Sequence, residues 1–146
     1  MSAALSTMLR RTVSDRAGGV CEYCLVHEDD GHFPLQFDHI ISRKHRGLTA
    51  SSNLALACLR CHVAKGTDIS VPTGQPPRPV RLFHPRRDSW REHFKLSAAR
   101  ILPRTETGTV TVDLLGLNAP ERLLLRRALI KAGRYPSEAA LERMRD

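Results

Sequence analysis

The amino-acid sequence predicts an α+β fold, with a small ββα core between an N-terminal helix and a C-terminal extension that contains a hairpin and a helix. The 146-residue chain has four cysteines, and all of them belong to two Cys-x-x-Cys pairs. Apolar runs of strand length lie between the pairs, and apolar residues at three- and four-residue spacing precede them. This length allows one compact domain, or a small zinc domain with an appendage.

Charge and hydropathy limit the class of partner. The chain carries 23 Lys and Arg against 15 Asp and Glu, which gives a formal net charge of +8. This excess predicts an anionic partner, with nucleic acid ahead of a membrane surface, although a basic surface without such a partner stays open. No run approaches the ~18 apolar residues of a membrane span. Because the N-terminus also lacks a secretion signal pattern, we predict a cytoplasmic protein.

The cysteine spacing predicts a structural metal site. In a reducing compartment, paired Cys-x-x-Cys motifs favour metal binding over disulfides. Two such pairs complete the closed tetrahedral sulfur shell that zinc prefers. A thiol redox protein is the alternative, but a redox site needs only one Cys-x-x-Cys pair and this chain has two. We therefore predict that one Zn²⁺ is bound by Cys21, Cys24, Cys58 and Cys61.

Residues 1–70 are predicted to form the core. The periodic residues before Gly18 predict an amphipathic helix, and they are Leu5, Met8, Leu9, Thr12 and Val13. Residues 34–41 predict a short strand, residues 42–47 a basic loop, and residues 54–57 a second strand. A helix should open at residues 62–65 and stop at Gly66. The expected order is therefore strand, loop, strand and helix.

Residues 71–146 are predicted to be a linker and an extension that packs on the core. Four prolines and a glycine make residues 67–81 an expected linker without regular structure. Residues 100–102 and 109–115 are predicted to pair as a hairpin through a turn at residues 105–108. Asn118 is the expected cap of a leucine-rich helix that ends at Gly133, and Ser137 should begin a last helix. Solvated faces are predicted for five basic residues of this part, with a phosphate-binding surface as the alternative for some of them: Arg86, Arg87, Arg126, Arg127 and Lys131.

Four polar residues in and behind the predicted strands suggest hydrolytic chemistry. Cleavage of a phosphodiester needs a base to activate water and an electrophile to stabilise charge on oxygen. Histidine, with an unperturbed pKa of about 6.5, is neutral enough to be that base. Neighbouring strand residues face opposite sides, which favours separate roles, with His39 towards water and Asp38 towards a metal. His62 can reach the same ion, and Asn53 can hold the backbone around His39.

The motifs resemble those of the HNH endonucleases of bacteria and phages, a family with a ββα-metal fold often pinned by a zinc knuckle. The resemblance rests on Cys-Glu-Tyr-Cys at 21–24, Asp-His-Ile at 38–40, Asn-Leu at 53–54 and Cys-Leu-Arg-Cys-His at 58–62. It implies that His39 is the general base and that Asn53 orients it. It also implies that Asp38 and His62 bind a catalytic divalent ion such as Mg²⁺, Mn²⁺ or Ni²⁺.

The predicted function is therefore cleavage of DNA by a metal-dependent endonuclease. The expected DNA contacts are basic residues of the loop and the following helix, namely Arg43, Lys44, His45, Arg46 and Lys65. The alternative is a catalytically inactive, zinc-stabilised module that only binds nucleic acid. The presence of His39 favours cutting, because binding alone has no use for a general base.

Overall fold

Six helices and six short strands form the protein in a computed structural model that describes residues 5–146. The helices are α1 (Thr7–Ala17), α2 (Leu59–Lys65), α3 (Trp90–His93), α4 (Glu106–Leu115), α5 (Pro120–Lys131) and α6 (Glu138–Arg145). The strands are β1 (Gln36–His39), β2 (Leu54–Ala57), β3 (Ser70–Thr73), β4 (Arg78–Arg81), β5 (Phe94–Ser97) and β6 (Arg100–Pro103). They pair as three antiparallel ribbons, β1–β2, β3–β4 and β5–β6. The predicted α+β class is confirmed.

Helix α1 lies on the strand that leads to the second cysteine pair. The Ser6 hydroxyl accepts a hydrogen bond from the Leu9 amide at 3.1 Å, and Gly18 ends the helix in the left-handed conformation. The buried Val13 and Ala17 pack against Leu54 and Leu56. The predicted helix is confirmed, but its apolar face excludes Met8, which is 79% exposed.

The predicted order of strand, loop, strand and helix is confirmed in the core. Strands β1 and β2 pair with Asp38 opposite Ala55 and His39 opposite Leu54. Helix α2 begins before residue 62, because the Cys58 sulfur accepts a hydrogen bond from the Cys61 amide and caps the helix. Gly66 ends α2 as expected. The second cysteine pair therefore forms the first turn of the helix that carries His62.

The expected linker at residues 67–81 is wrong in part, because β3 and β4 form a hairpin there. Pro72 lies opposite Pro79 in the register of this ribbon. A two-stranded ribbon has only edge strands, so a residue without an amide hydrogen can occupy a position that would face solvent. Gly74 provides a positive φ of 91° between the two strands.

The predicted hairpin between residues 100–102 and 109–115 is also wrong. Residues 100–103 are a strand, but β6 pairs with the preceding β5, and residues 106–115 form α4. The Thr105 hydroxyl accepts a hydrogen bond from the Gly108 amide at 3.0 Å, so the expected turn is the first turn of the helix. Tertiary packing of Val110 and Val112 overrides the strand preference of β-branched residues.

Three polar residues of the C-terminal part differ from the prediction in their contacts or their burial. Asn118 does not cap α5; its amide pairs with the backbone N–H and C=O of Ile101 at 2.9 and 2.8 Å, and Ala119 is the cap residue. Arg126 is 1% exposed and donates to the carbonyl oxygens of Ala99 and Leu117. Arg86 is also mostly covered, where it pairs with Glu22. The solvated faces predicted for Arg86 and Arg126 are therefore wrong.

The C-terminal elements pack on the first cysteine pair. The indole Nε1 of Trp90 donates to the carbonyl oxygen of Tyr23 at 3.0 Å, and the Tyr135 hydroxyl donates to that of Cys24 at 2.9 Å. The main buried cluster joins Tyr23 and Leu25 with residues of α4, α5 and β6. Within residues 5–146, no helix has the length and apolarity needed to cross a membrane.

Candidate functional site

The four cysteine sulfurs form one cluster between the start of α2 and the first Cys-x-x-Cys turn. All four Sγ atoms lie within 4.8 Å of one another, and those of Cys24 and Cys58 are 3.8 Å apart. A tetrahedral zinc ion with bonds of about 2.3 Å separates its sulfur ligands by about 3.8 Å. The four cysteines are therefore positioned as a metal-binding site, and their geometry fits zinc.

Backbone geometry constrains the turn of the first cysteine pair. The Leu25 amide donates to the Cys21 carbonyl at 2.8 Å, while Leu25 itself adopts a positive φ of 66°. A branched residue in this conformation is uncommon and is held by its surroundings. Burial raises the pKa of Cys21 and Cys61 well above the usual value for a thiol. A bound cation is what would stabilise four thiolates in this interior.

The carboxylate of Asp38 lies at the centre of a buried polar network. Its Oδ1 is 3.0 Å from Nδ1 of His62, while the Tyr23 hydroxyl donates to Oδ2 at 3.0 Å. The ammonium of Lys65 is 3.2 Å from the same Oδ2. Burial and the nearby carboxylate raise the pKa of Tyr23 well above its ordinary value, so its phenol remains a proton donor. The two carboxylate oxygens thus have different partners: Oδ1 contacts the imidazole of His62, and Oδ2 contacts Tyr23 and Lys65.

His39 occupies the next position of β1 and has different contacts. Its Nε2 lies 2.9 Å from the hydroxyl oxygen of Thr49, in the loop between the two strands. Partial burial lowers the pKa of His39 below its ordinary value. The neutral imidazole is therefore favoured at physiological pH, and a neutral imidazole can accept a proton.

The side chain of Asn53 closes the loop that follows His39. Its Oδ1 accepts from the Ile41 amide, and its Nδ2 donates to the carbonyl oxygens of Ile41 and Leu48, each at 2.9 Å. Gly47 passes so close that a Cβ atom there would lie 1.7 Å from the Ile41 oxygen. Asn53 therefore contacts the backbone beside His39, as expected from the sequence, and makes its bonds to the loop.

The basic loop and Lys65 differ in exposure. Arg43, Lys44, His45 and Arg46 are all exposed, in and just after a short 3₁₀ turn at residues 43–45. Lys65 was expected to contact DNA, but its side chain is 2% exposed and its Nζ donates to the His39 carbonyl at 3.0 Å. The structure places this ammonium in the interior, where it contacts protein groups and not a surface phosphate.

A cavity of about 480 Å³ brings the predicted site residues together. Its lining includes Asp38, His39 and His62, with Arg43 and Lys44 of the basic loop. Asn53 does not line this cavity and acts on the loop from behind. A carboxylate, two imidazoles and two basic side chains thus share one opening.

Sequence reasoning missed Tyr23, Thr49 and the inward position of Lys65. In the sequence, Tyr23 is marked only by its place within a Cys-x-x-Cys pair, and Thr49 belongs to no recognisable motif. Lys65 follows Cys61 by four residues, so it lies one helical turn further along α2 on the same buried face. That helical periodicity could have predicted its burial.

The comparisons with known proteins identify the segment that carries these residues. Residues 21–68 match the family model described as HNH endonuclease. This segment contains both cysteine pairs, the Asp38–His39 dipeptide, Asn53 and His62. The resemblance inferred from the motifs is therefore confirmed over this segment. Neither the search of curated proteins nor the search of solved structures gave a match.

Proposed function

We propose that this protein is a metal-dependent endonuclease that hydrolyses DNA phosphodiester bonds and carries a structural zinc ion at its four cysteines. The observation that supports this proposal most strongly is the shared cavity of Asp38, His39 and His62 within the segment that matches the HNH family. A purely structural zinc module has no need for this set of side chains beside an exposed basic loop.

Asp38 and His62 are the proposed holders of the catalytic divalent ion, which would be Mg²⁺, Mn²⁺ or Ni²⁺. Their Oδ1 and Nδ1 atoms are 3.0 Å apart, a separation that also suits two neighbouring ligands on one ion. Such an ion, when bound, supplies stabilisation of charge on the phosphate oxygens and on the leaving alkoxide. Tyr23 and Lys65 contact Oδ2, so Oδ1 would be the carboxylate oxygen that binds the ion.

His39 is the proposed general base. Donation from Nε2 to the Thr49 hydroxyl would fix the neutral tautomer in which Nδ1 carries the free lone pair. That nitrogen would take the proton from an attacking water molecule. Asn53 acts on the surrounding backbone, because its three hydrogen bonds set the path of the loop that carries Thr49.

DNA is the proposed substrate, and its phosphates would be bound by Arg43, Lys44, His45 and Arg46. These residues are exposed next to the cavity, and the whole chain carries a formal net charge of +8. Phosphate contacts of this kind position a duplex without reading its sequence. Lys65 is excluded from this group because its ammonium is buried.

One observation favours a module that binds nucleic acid without cutting it. Asp38 already has three partners in His62, Tyr23 and Lys65, so its buried carboxylate is satisfied without an ion. A degenerate family member could retain this network as structure alone. Metal-dependent turnover is therefore the property that separates the two functions.

The test uses supercoiled plasmid and purified full-length protein. Incubation with Mg²⁺, Mn²⁺ or Ni²⁺ should give nicked or linear products, and omission of the divalent ion should prevent them. His39→Ala should lose the activity, whereas His32→Ala, which removes an exposed histidine outside the cavity, should retain it. Retarded migration of the plasmid without any cleavage in all three metals would support the binding module instead.

A further inference from the structure

The guanidinium of Arg122, in α5, lies directly against the cysteine cluster. Its Nη2 donates to Sγ of Cys61 at 3.0 Å and lies 3.6 Å from Sγ of Cys58. Its Nη1 donates to the carbonyl oxygen of Leu115 at 2.9 Å. The residue is only 6% exposed, so the cation contacts sulfur away from bulk water.

Arg122 pairs with no carboxylate among the ion pairs of residues 5–146. Burial of a cation without a counter-charge is strongly unfavourable. Four thiolates around one Zn²⁺ form a dianion by formal charge. The cysteine cluster is therefore the anionic group that can balance this arginine, and the arginine offsets part of the charge on the cluster.

We infer that Arg122 belongs to the zinc centre, as the charge partner and N–H···S donor that retains the metal and shields the sulfurs from electrophiles. This inference rests on the zinc centre of the proposed function. It assigns a metal-tuning residue that lies outside the matched segment at 21–68. Helix α5 then completes the site, because the guanidinium reaches the sulfurs only when the C-terminal elements are packed in place.

A neighbouring cation stabilises the dianionic, metal-bound cluster relative to the neutral thiols of the metal-free form, and its hydrogen bonds lower the electron density that a thiolate offers to an alkylating reagent. Groups that hydrogen-bond to metal ligands typically change metal affinity by about 10- to 100-fold when they are removed. The loss of Arg122 should therefore speed zinc release and expose a more nucleophilic Cys61. A residue that only packs the interior would change both rates solely through the folded fraction.

Two neighbouring arginines provide matched controls. Arg126 lies one turn further along α5 and is 1% exposed, but it donates to carbonyl oxygens and to Asn118. Arg60 lies between Cys58 and Cys61, yet its side chain is 56% exposed and pairs with Glu121 at 2.6 Å. Arg126→Met therefore reports the loss of a buried arginine, and Arg60→Met reports the loss of a positive charge near the knuckle.

The experiment compares zinc-loaded wild type, Arg122→Met, Arg126→Met and Arg60→Met as full chains. Zinc transfer to a chromophoric chelator and alkylation by iodoacetamide are followed under conditions where circular dichroism shows equal folded fractions. We expect Arg122→Met to release zinc about tenfold faster or more, and to be alkylated faster, with both controls close to wild type. In Co²⁺-loaded protein, the sulfur-to-metal charge-transfer band should move to lower energy only when Arg122 is replaced.

Equal release, alkylation and cobalt spectra in Arg122→Met and Arg126→Met would overturn the inference. If Arg122→Met does not fold, Arg122→Gln keeps N–H donors and removes the charge, and a release rate equal to that of wild type would have the same consequence. A wild-type protein that binds neither Zn²⁺ nor Co²⁺ would instead contradict the zinc centre itself. The two failures are therefore distinguishable.

Discussion

The ammonium of Lys65 lies 3.2 Å from Oδ2 of Asp38, and each side chain is 2% exposed. The same ammonium donates to the carbonyl oxygen of His39 at 3.0 Å. One residue of α2 thus contacts both members of the Asp-His dipeptide on β1. Since His62 also belongs to α2, the position of this helix sets the distance between both proposed metal ligands and the orientation of the proposed base.

Replacement of Lys65 by Met should destabilise the protein strongly. The substitution leaves the Asp38 carboxylate buried without its cationic partner, a change that typically costs about 3–5 kcal/mol. The free energy of unfolding from denaturant titration measures this effect, with Lys131→Met as the control because Lys131 is exposed on α5. Equal stability of the two variants would show that the contact with Asp38 contributes nothing to the fold.

Cys58→Ser should reduce zinc content and disturb the packing of the C-terminal elements. The substitution removes one of four clustered sulfurs, and a structural zinc site contributes directly to folding free energy. The single tryptophan, Trp90, is a suitable probe because its indole donates to the Tyr23 carbonyl within the first cysteine pair. Elemental analysis should fall from near one zinc per chain, together with a lower unfolding temperature and altered tryptophan fluorescence. A metal-free wild type with unchanged stability would contradict this expectation.

The parts of the fold that the sequence predicts are those set by local spacing. Helix α1 has its cap and its glycine stop within one segment, and the strands of the core lie in sequence order around the cysteines. The sequence predicts a strand at residues 109–115 because Thr and Val favour strands in isolation. In the structure these residues belong to α4, where tertiary packing buries Val110 and Thr111. Propensity is a weak guide where tertiary contacts decide.

The sequence predicts which residues line the shared cavity, namely Asp38, His39 and His62, but it does not predict their hydrogen-bond partners. The Asp-His dipeptide, Asn53 and His62 could be found from their order around the cysteines. The partners of Asp38 could not, because Tyr23 and Lys65 reach it across 15 and 27 residues of chain. Arg122 is further still from Cys61, and only the packing of α5 brings the two together.

Gly47→Ala should displace the loop between β1 and β2. A Cβ atom would lie 1.7 Å from the Ile41 oxygen and 2.8 Å from Nδ2 of Asn53, so the backbone must move. Loss of the Asn53 hydrogen bonds should lower stability by about 1–3 kcal/mol and reduce cleavage. Gly31→Ala is the control, because a Cβ there meets the Phe33 oxygen at an ordinary 3.5 Å. If thermal unfolding and plasmid cleavage of Gly47→Ala match those of Gly31→Ala, the loop tolerates the change and the argument fails.

Affinity for duplex DNA should fall steeply as salt rises. The exposed basic loop and the net charge of +8 favour phosphate contacts over base stacking. The log–log slope should be about −0.9 for each phosphate neutralised. Fluorescence anisotropy with a labelled duplex, in buffer free of divalent ions, measures this slope. Replacement of Arg43 and Lys44 by Gln should make it shallower, and a slope unchanged by that replacement would place the phosphate contacts elsewhere.

Removal of the base and removal of a metal ligand should give different kinetic defects. His39→Ala should lower the cleavage rate by about 10²- to 10⁴-fold, because general-base catalysis is lost while Asp38 and His62 remain. Asp38→Ala and His62→Ala should instead raise the Mn²⁺ concentration needed for half-maximal cleavage, so that added Mn²⁺ partly restores the rate. Asn53→Ala should be milder than His39→Ala, since it disturbs the loop and not the proton transfer.

These defects are separated by titrating Mn²⁺ against a fixed amount of plasmid, with DNA affinity and zinc content measured on the same preparations. His39→Ala should show a low plateau that added metal does not raise, and near-normal DNA affinity. Asp38→Ala carries a stability cost of its own, because Lys65 loses its carboxylate partner, so the more exposed His62 provides the cleaner comparison. Cleavage by His39→Ala at the wild-type rate, in a preparation free of contaminating nuclease, would reject the base assignment and favour the module that only binds DNA.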